Sequence, residues 1–481
     1  MEFISTRGGM EPISFSEVLL AGLAPDGGLA VPASLPHLSA ADLEGLRELG
    51  YADLAAKIIG IFWPEIAAED LLKITRAAYG SQFASDDIVP VTQLKNLGEN
   101  GLGLAGLSEG PTLAFKDLAM QFLGEAIPYL LQQTGGKLNI LGATSGDTGS
   151  AAEYAFRSKP NTSVIMLSPK GRMSDFQRAQ MYSLADSNIH NVVVDGVFDD
   201  CQNLVKALNG DLDFKAEVSL GAVNSINFGR IAAQSVYYFW TWLRATDALA
   251  ERERADFKVS FAVPSGNFGN VFSGFIARQL GLPVAALLVA TNENDVLHEF
   301  FSTGVYRPRS AADTHVTSSP SMDISKASNI ERFIFELLGR DGESLKTAFD
   351  ALEATGALDL SEHLPRLQAE FGLFSGRSSH ADRVRTIRET YEKTGVLIDP
   401  HTADGVHVAL EFAASATAGD APIYVLETAK PHKFAETVVE ALDFEPELSA
   451  EMQEMIALPQ RTVEIAPDPA TLRDLVRDRA V

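Results

Sequence analysis

A chain of 481 residues, 46% of them apolar, is globular and too long for one compact core, so two or three domains are expected. Its 39 basic and 64 acidic side chains leave a formal charge of −25, which repels phosphate backbones and anionic headgroups, so neither nucleic acid nor a membrane is an expected partner. The only cysteine, Cys201, excludes an intrachain disulfide and a cysteine-rich metal site, and none of the nine histidines falls in an HExxH pattern, so no metal is expected.

The N-terminal residues show no basic segment leading into an apolar run, which points to a cytoplasmic protein. Residues 1–90 read as helical and loop-like, with a turn at Pro25, Asp26, Gly27 and Gly28, and are expected to form a separate N-terminal unit. Lys116 follows in GPTLAFKD, between the ring of Phe115 and the carboxylate of Asp117. An amine there becomes a covalent catalyst only if a partly apolar wall, expected from Phe115 and Leu113 as part of a cofactor site, lowers its pKa; otherwise it is a solvated surface charge.

From residue 137 the chain repeats a short apolar strand, a glycine- or asparagine-bearing loop and an amphipathic helix, the rhythm of a parallel sheet covered by helices. Strands are expected at 138–141, 164–167, 192–194, 259–263 and 423–426, and helices at 201–208 and 271–280. The run at 284–290 is the longest apolar stretch and is too short to span a bilayer. Residues 251–256 read as a solvated helix end, and 341–395 as a helical elaboration. Cys201 reads as a small buried hydrophobe.

Ligands of such sheets sit at the carboxyl ends of strands, and the loops there carry the chemistry. GATSGDTGS presents Thr144, Ser145, Asp147 and Thr148 at a helix start, either as a capping turn or as a carboxylate or phosphate subsite. NSINFGR offers Asn224, Ser225, Asn227 and Arg230, either as a capped helix with a surface arginine or as donors converging on an anion. In PSGNFGN, residues Ser265, Gly266, Asn267, Phe268, Gly269 and Asn270 form either an ordinary capped turn or a cradle for one phosphate. No third glycine makes a dinucleotide fingerprint, and no Walker lysine is present. Thr428 in ETAKP either caps a helix or offers a hydroxyl to a buried ring nitrogen.

In this order, STRGG, FSEVLLAGLAPDGGLAVP, GPTLAFKDLAMQFLG, GATSGDTGSAA, NSINFGRIAAQ, PSGNFGN, SMDI with SNIERF, DPHTADG and ETAKPHKF resemble threonine synthase. The likeness covers nearly the whole chain. It implies an α/β protein of the tryptophan synthase β-like fold (PLP fold type II), with helices on both faces of parallel sheets. It also implies a large cofactor domain from 91–118 and 218–481 and a smaller mobile domain at 119–217. The resemblance further implies pyridoxal 5'-phosphate joined to Lys116, its phosphate held by 265–270 and its ring nitrogen met by Thr428. Thr144, Ser145, Asp147 and Thr148 would surround the amino-acid part of O-phospho-L-homoserine, and Asn224, Ser225, Asn227 and Arg230 its phosphate. The implied reaction gives L-threonine and phosphate through γ-elimination and β-addition of water. The alternatives are a pyridoxal-phosphate lyase of the same fold and a non-catalytic ligand-binding descendant. A monomer is expected, with a homodimer as the alternative. Asn270 and Lys430 stand where the family often has Asp and His, and no role follows from the residues alone for His401 or Asp323.

Overall fold

The computed structural model describes residues 1–98, 102–171 and 173–481. Two sheets organise them. The larger has six strands in the order Leu373–Arg377, Val284–Thr291, Val259–Pro264, Ile423–Glu427, Leu102–Gly106 and Val91–Gln93, all parallel but the last, which is antiparallel to its neighbour. The smaller has five parallel strands in the order Val463–Ile465, Ile189–Val194, Thr162–Pro169, Leu138–Ala143 and Leu220–Gly221. Val259–Pro264 and Thr162–Pro169 are buried at every residue. Strands covered on both faces exclude water from both, so they read as continuous apolar runs without alternation.

The strands expected from sequence are all present, each longer at one or both ends. Region 341–395 supplies the helices Gly342–Thr355, Leu364–Ala369 and His380–Thr394, but also the edge strand Leu373–Arg377, paired in parallel with Val284–Thr291 so that Leu373 lies opposite Leu287. The smaller sheet draws in Leu220–Gly221 and Val463–Ile465, from beyond the 119–217 segment. Residues 1–90 do not stand apart. Phe3 packs edge-on against Phe228 with centroids 5.1 Å apart, Trp63 meets Phe122 at 6.4 Å, and Arg7 forms an ion pair with Glu331 at 3.0 Å. They form a layer over the helices Lys116–Thr134 and Phe228–Ala245 and share one apolar core with them.

One close approach fixes how two helices that carry site residues pack together. Gly124 in the helix Lys116–Thr134 faces the helix Asp147–Phe156, and a Cβ at Gly124 would stand 2.3 Å from the carbonyl oxygen of Ala155. The residues that begin these two helices, Lys116 and Asp147, are thereby brought to one place. Cys201 is fully buried, and burial pushes its thiol up to about 12. Among the described residues no helix is long and apolar enough to cross a membrane.

Candidate active site

Lys116 enters its helix from a turn in which Leu113 has a φ of 59°, in the left-handed region. The fully buried Asp117 holds that turn by accepting from the Thr112 amide at 2.8 Å and the Thr112 hydroxyl at 2.6 Å. Two bonds tie it to the end of the strand Ile423–Glu427: the Phe115 amide donates to the Thr428 carbonyl at 2.9 Å, and the Lys430 amide to the Leu113 carbonyl at 3.1 Å. The amine is therefore delivered inward. Its side chain is 13% exposed, with Nζ 3.6 Å from Asp147 Oδ2 and 5.7 Å from the centre of the Phe115 ring. Burial lowers the pKa of Lys116; Asp147 pulls the other way, and the positive charges of Lys433 and Arg230 reinforce burial. Burial shifts this lysine towards the neutral form, the direction that covalent chemistry requires.

Asp147 follows the strand Leu138–Ala143, in a loop that Thr144 builds by accepting from the amides of Gly146 at 3.0 Å and Gly149 at 2.8 Å. Lys433 Nζ lies 2.7 Å from Asp147 Oδ1, Gln177 Nε2 donates to the same oxygen at 3.2 Å, and the Ser321 hydroxyl donates to Oδ2 at 2.7 Å. Burial alone would raise this carboxyl, but Lys433 and Lys116 hold it well below the usual carboxylate range. Lys433, with no exposed side-chain surface, also donates to the Thr112 carbonyl at 2.8 Å. Sequence reasoning singles out none of Lys433, Ser321 and Gln177. Lys433 and Ser321 lie inside the ETAKPHKF and SMDI segments, and that is their only signal.

The Ser321 amide donates to His401 Nε2 at 3.0 Å, which makes that nitrogen the acceptor and leaves Nδ1 facing Asp399 Oδ1 at 2.7 Å. Asp323 accepts from Asn292 at 2.9 Å, Asn294 at 3.0 Å and the Thr317 hydroxyl at 2.6 Å. Both residues brace the 314–325 segment. Ile324 of that segment lies over Gly266, where a Cβ would stand 2.7 Å from Ile324 Cγ1.

In the 265–270 loop Phe268 takes a φ of 65° and sends its ring into the core, stacked on Phe301 at 5.5 Å, so it offers the loop only backbone. Asn267 Oδ1 accepts from the Ser328 hydroxyl at 3.2 Å, and the backbone amide of Gly269 opens the helix Gly269–Gln279. Asn270 Oδ1 accepts from the hydroxyls of Tyr237 at 2.6 Å and Tyr238 at 3.0 Å, which turns Nδ2 away from both. Asn270 Nδ2, Ser265 Oγ and Thr428 Oγ1 are buried without a hydrogen-bond partner. Arg230 is 4% exposed, its Nε is also without a partner, and among the described residues no carboxylate pairs with it; burial lowers it to about 10. Orphaned buried donors cost about 1–3 kcal/mol each, and here they are the groups that a bound anion and a ring acceptor would satisfy.

Other expected residues are spent on the scaffold. Asn227 caps the helix Phe228–Ala245 by accepting from the Gly229 amide at 2.8 Å, and its Nδ2 donates to the Leu19 carbonyl at 3.0 Å. Ser225 pairs with Ser328 at 3.0 Å, joining this loop to 265–270 through Asn267. Asn224 and Ser145 are exposed, and Thr148 is half-buried in the first turn of the helix Asp147–Phe156. Lys430 bridges Glu109 at 2.5 Å and Glu427 at 3.2 Å, and burial raises Glu427 to about 7.

Comparison with known proteins supplies the family of this arrangement. The family model "Threonine synthase N terminus" matches residues 2–79, and "Threonine synthase, C-terminal" matches 402–476. Threonine synthase of Corynebacterium glutamicum is 51% identical over 99% of this chain and 98% of its own length, and that of Saccharomyces cerevisiae 38% identical over 91% and 88%. The crystal structure of PLP-bound threonine synthase from Brucella melitensis superposes with a TM-score of 0.92 at 40% identity, covering 100% of this chain and 99% of that one. Both ends and the whole length between them agree, and on that agreement the chain belongs to the threonine synthase family.

Proposed function

We propose that this protein converts O-phospho-L-homoserine and water to L-threonine and phosphate, using pyridoxal 5'-phosphate held by Lys116. The observation that carries the reading is Arg230, a buried guanidinium with no carboxylate partner among the described residues. The orphaned donors of Ser265 and Asn270 stand on the 265–270 loop and suit the cofactor phosphate, which leaves Arg230 for a second anion, the phosphate of the substrate. Thr428 suits the ring nitrogen because its hydroxyl is neutral and unpartnered.

The bound cofactor supplies an electron sink for negative charge developing on the substrate carbons. Lys116 Nζ is the group placed to move the protons, and burial lowers its pKa in the direction that this role needs. Arg230 orients the phosphate that departs. Ser145 and Thr148, at the start of the helix Asp147–Phe156, lie where a substrate carboxylate meets free helix N–H groups. Asp147 acts on Lys116 more than on substrate, because Lys433, Ser321 and Gln177 already occupy its oxygens.

A smaller unit, 119–221 with the strand Val463–Ile465 and the helix Pro469–Arg479, is expected to move against a larger one built on 91–118 and 222–462. Closure would exclude bulk water while phosphate leaves. The test is to supply purified protein with O-phospho-L-homoserine and measure threonine, phosphate and oxobutyrate together. Threonine and phosphate in equal amounts are expected. Oxobutyrate as the main product would make the protein a lyase of the same fold.

A further inference from the structure

Lys433 belongs to none of the loops that point at a ligand, yet it is the most completely buried cation near Lys116. Its Nζ lies 2.7 Å from Asp147 Oδ1 and 2.8 Å from the Thr112 carbonyl, and the side chain has no exposed surface. Asp147 Oδ2 is 3.6 Å from Lys116 Nζ. Two lysines therefore share one carboxylate, and the shorter contact belongs to the one that does no chemistry.

The other charged groups facing this cluster are few. Asp117 acts on Lys433 from the first turn of the helix Lys116–Thr134, and Arg230 acts on Lys116 from the helix Phe228–Ala245. Gln177 and Ser321 donate neutral hydrogen bonds to Asp147, and the Ser321 amide is itself held by the acceptor nitrogen of His401. Of the two lysines paired with Asp147, Lys433 is the closer, at 2.7 Å against 3.6 Å for Lys116.

We infer that Lys433 is a positioning residue that takes up part of the charge of Asp147, so that Lys116 meets a partly neutralised carboxylate and its nitrogen is held less firmly in the protonated form. Without Lys433 the free charge of Asp147 would turn to Lys116, 3.6 Å away, and favour its protonated form. The inference rests on the proposed attachment of the cofactor to Lys116, and the two can fail separately.

The experiment is a spectrophotometric pH titration of the holoenzyme, following the absorption band of the cofactor bound to Lys116. In Lys433→Met the midpoint is expected to rise by about one pH unit or more, since an opposite charge within a few ångströms shifts a pKa by about 1–3 units. Asp147→Asn is expected to lower it, because Lys433 and Arg230 then face Lys116 unopposed, and Lys433→Arg is expected to restore the wild-type midpoint. Competitive acetylation of Lys116 in the apoprotein, read by mass spectrometry across pH, should shift in the same directions. If Lys433→Met does not fold, the same titration of Lys433→Gln decides, with its midpoint expected to rise in the same way. A midpoint unchanged in either variant overturns the inference, whereas a band that never forms, or one that survives Lys116→Ala, overturns the cofactor assignment instead.

Discussion

Ser265 and Arg230 divide the candidate site between two anions, and single substitutions separate them. The Ser265 hydroxyl is buried without a partner, so Ser265→Ala removes a donor that only a ligand could use. Hydrogen bonds to charged groups are worth about 1.5–3 kcal/mol, and the dissociation constant for pyridoxal phosphate should rise at least ~10-fold by fluorescence titration of the apoprotein. The stability of the apoprotein should not fall, because nothing in the fold uses that hydroxyl. Arg230→Ala should leave the cofactor band intact and lower kcat/KM for O-phospho-L-homoserine by about 2–5 kcal/mol, as truncating a desolvated charge partner does. A substrate analogue without the phosphate should lose far less. Equal losses for both substrates would place Arg230 outside the phosphate site.

The helix Asp147–Phe156 carries a second consequence of burial. Glu153 is fully buried and neither carboxyl oxygen has a hydrogen-bond partner, so burial holds its pKa well above the ordinary carboxyl value. A carboxyl raised in the folded state does no harm below its unfolded pKa of about 4.3, and it opposes folding increasingly as pH climbs from there towards the folded value. Glu153→Gln should therefore stabilise the protein at pH 8 by about 1–3 kcal/mol in urea denaturation, with the gain gone near pH 4. A gain of the same size at both values would mean that side-chain shape, not ionisation, is responsible. Elements differ in how far the sequence reveals them, for a related reason. Val259–Pro264 and Ile423–Glu427 are legible because strands buried on both faces must be continuously apolar. Leu373–Arg377 and Val463–Ile465 are not, since each is a short edge strand with exposed positions and is defined by the neighbour it pairs with. At the site, Lys116, Arg230 and the 265–270 loop are legible because their chemistry sits in contiguous motifs. Lys433, Ser321 and Gln177 gain their meaning only where three distant segments meet on Asp147.

On the scale of the whole molecule, the two sheets are unequal in how they are finished. The N-terminal layer covers the helices Lys116–Thr134 and Phe228–Ala245, whereas the smaller sheet depends on residues more than two hundred positions away from its central strands. The strand Val463–Ile465 completes its edge, and Leu472 and Val476 of the helix Pro469–Arg479 are fully buried in the cluster that contains Cys201, Leu204, Leu208 and Phe214. Arg473 lies over the Phe214 ring at 4.5 Å and pairs with Asp211 at 2.6 Å, and Arg477 pairs with Glu217 at 2.7 Å. Burying an aliphatic side chain stabilises by about 1.5–3 kcal/mol, so deleting residues 463–481 should loosen the smaller sheet by several such units. Cys201, the only cysteine, reports this directly. In the intact chain its thiol is buried and raised to about 12, so it should react with a disulfide reagent only on unfolding. In the shortened chain it should titrate nearer the ordinary value of about 8.5 and react at least ~10-fold faster under native conditions, with the helices of the larger half still folded by circular dichroism. Equal reaction rates in the two chains would mean that the 198–210 helix is closed by its own sheet, and that the last helix is an ornament on a unit already complete.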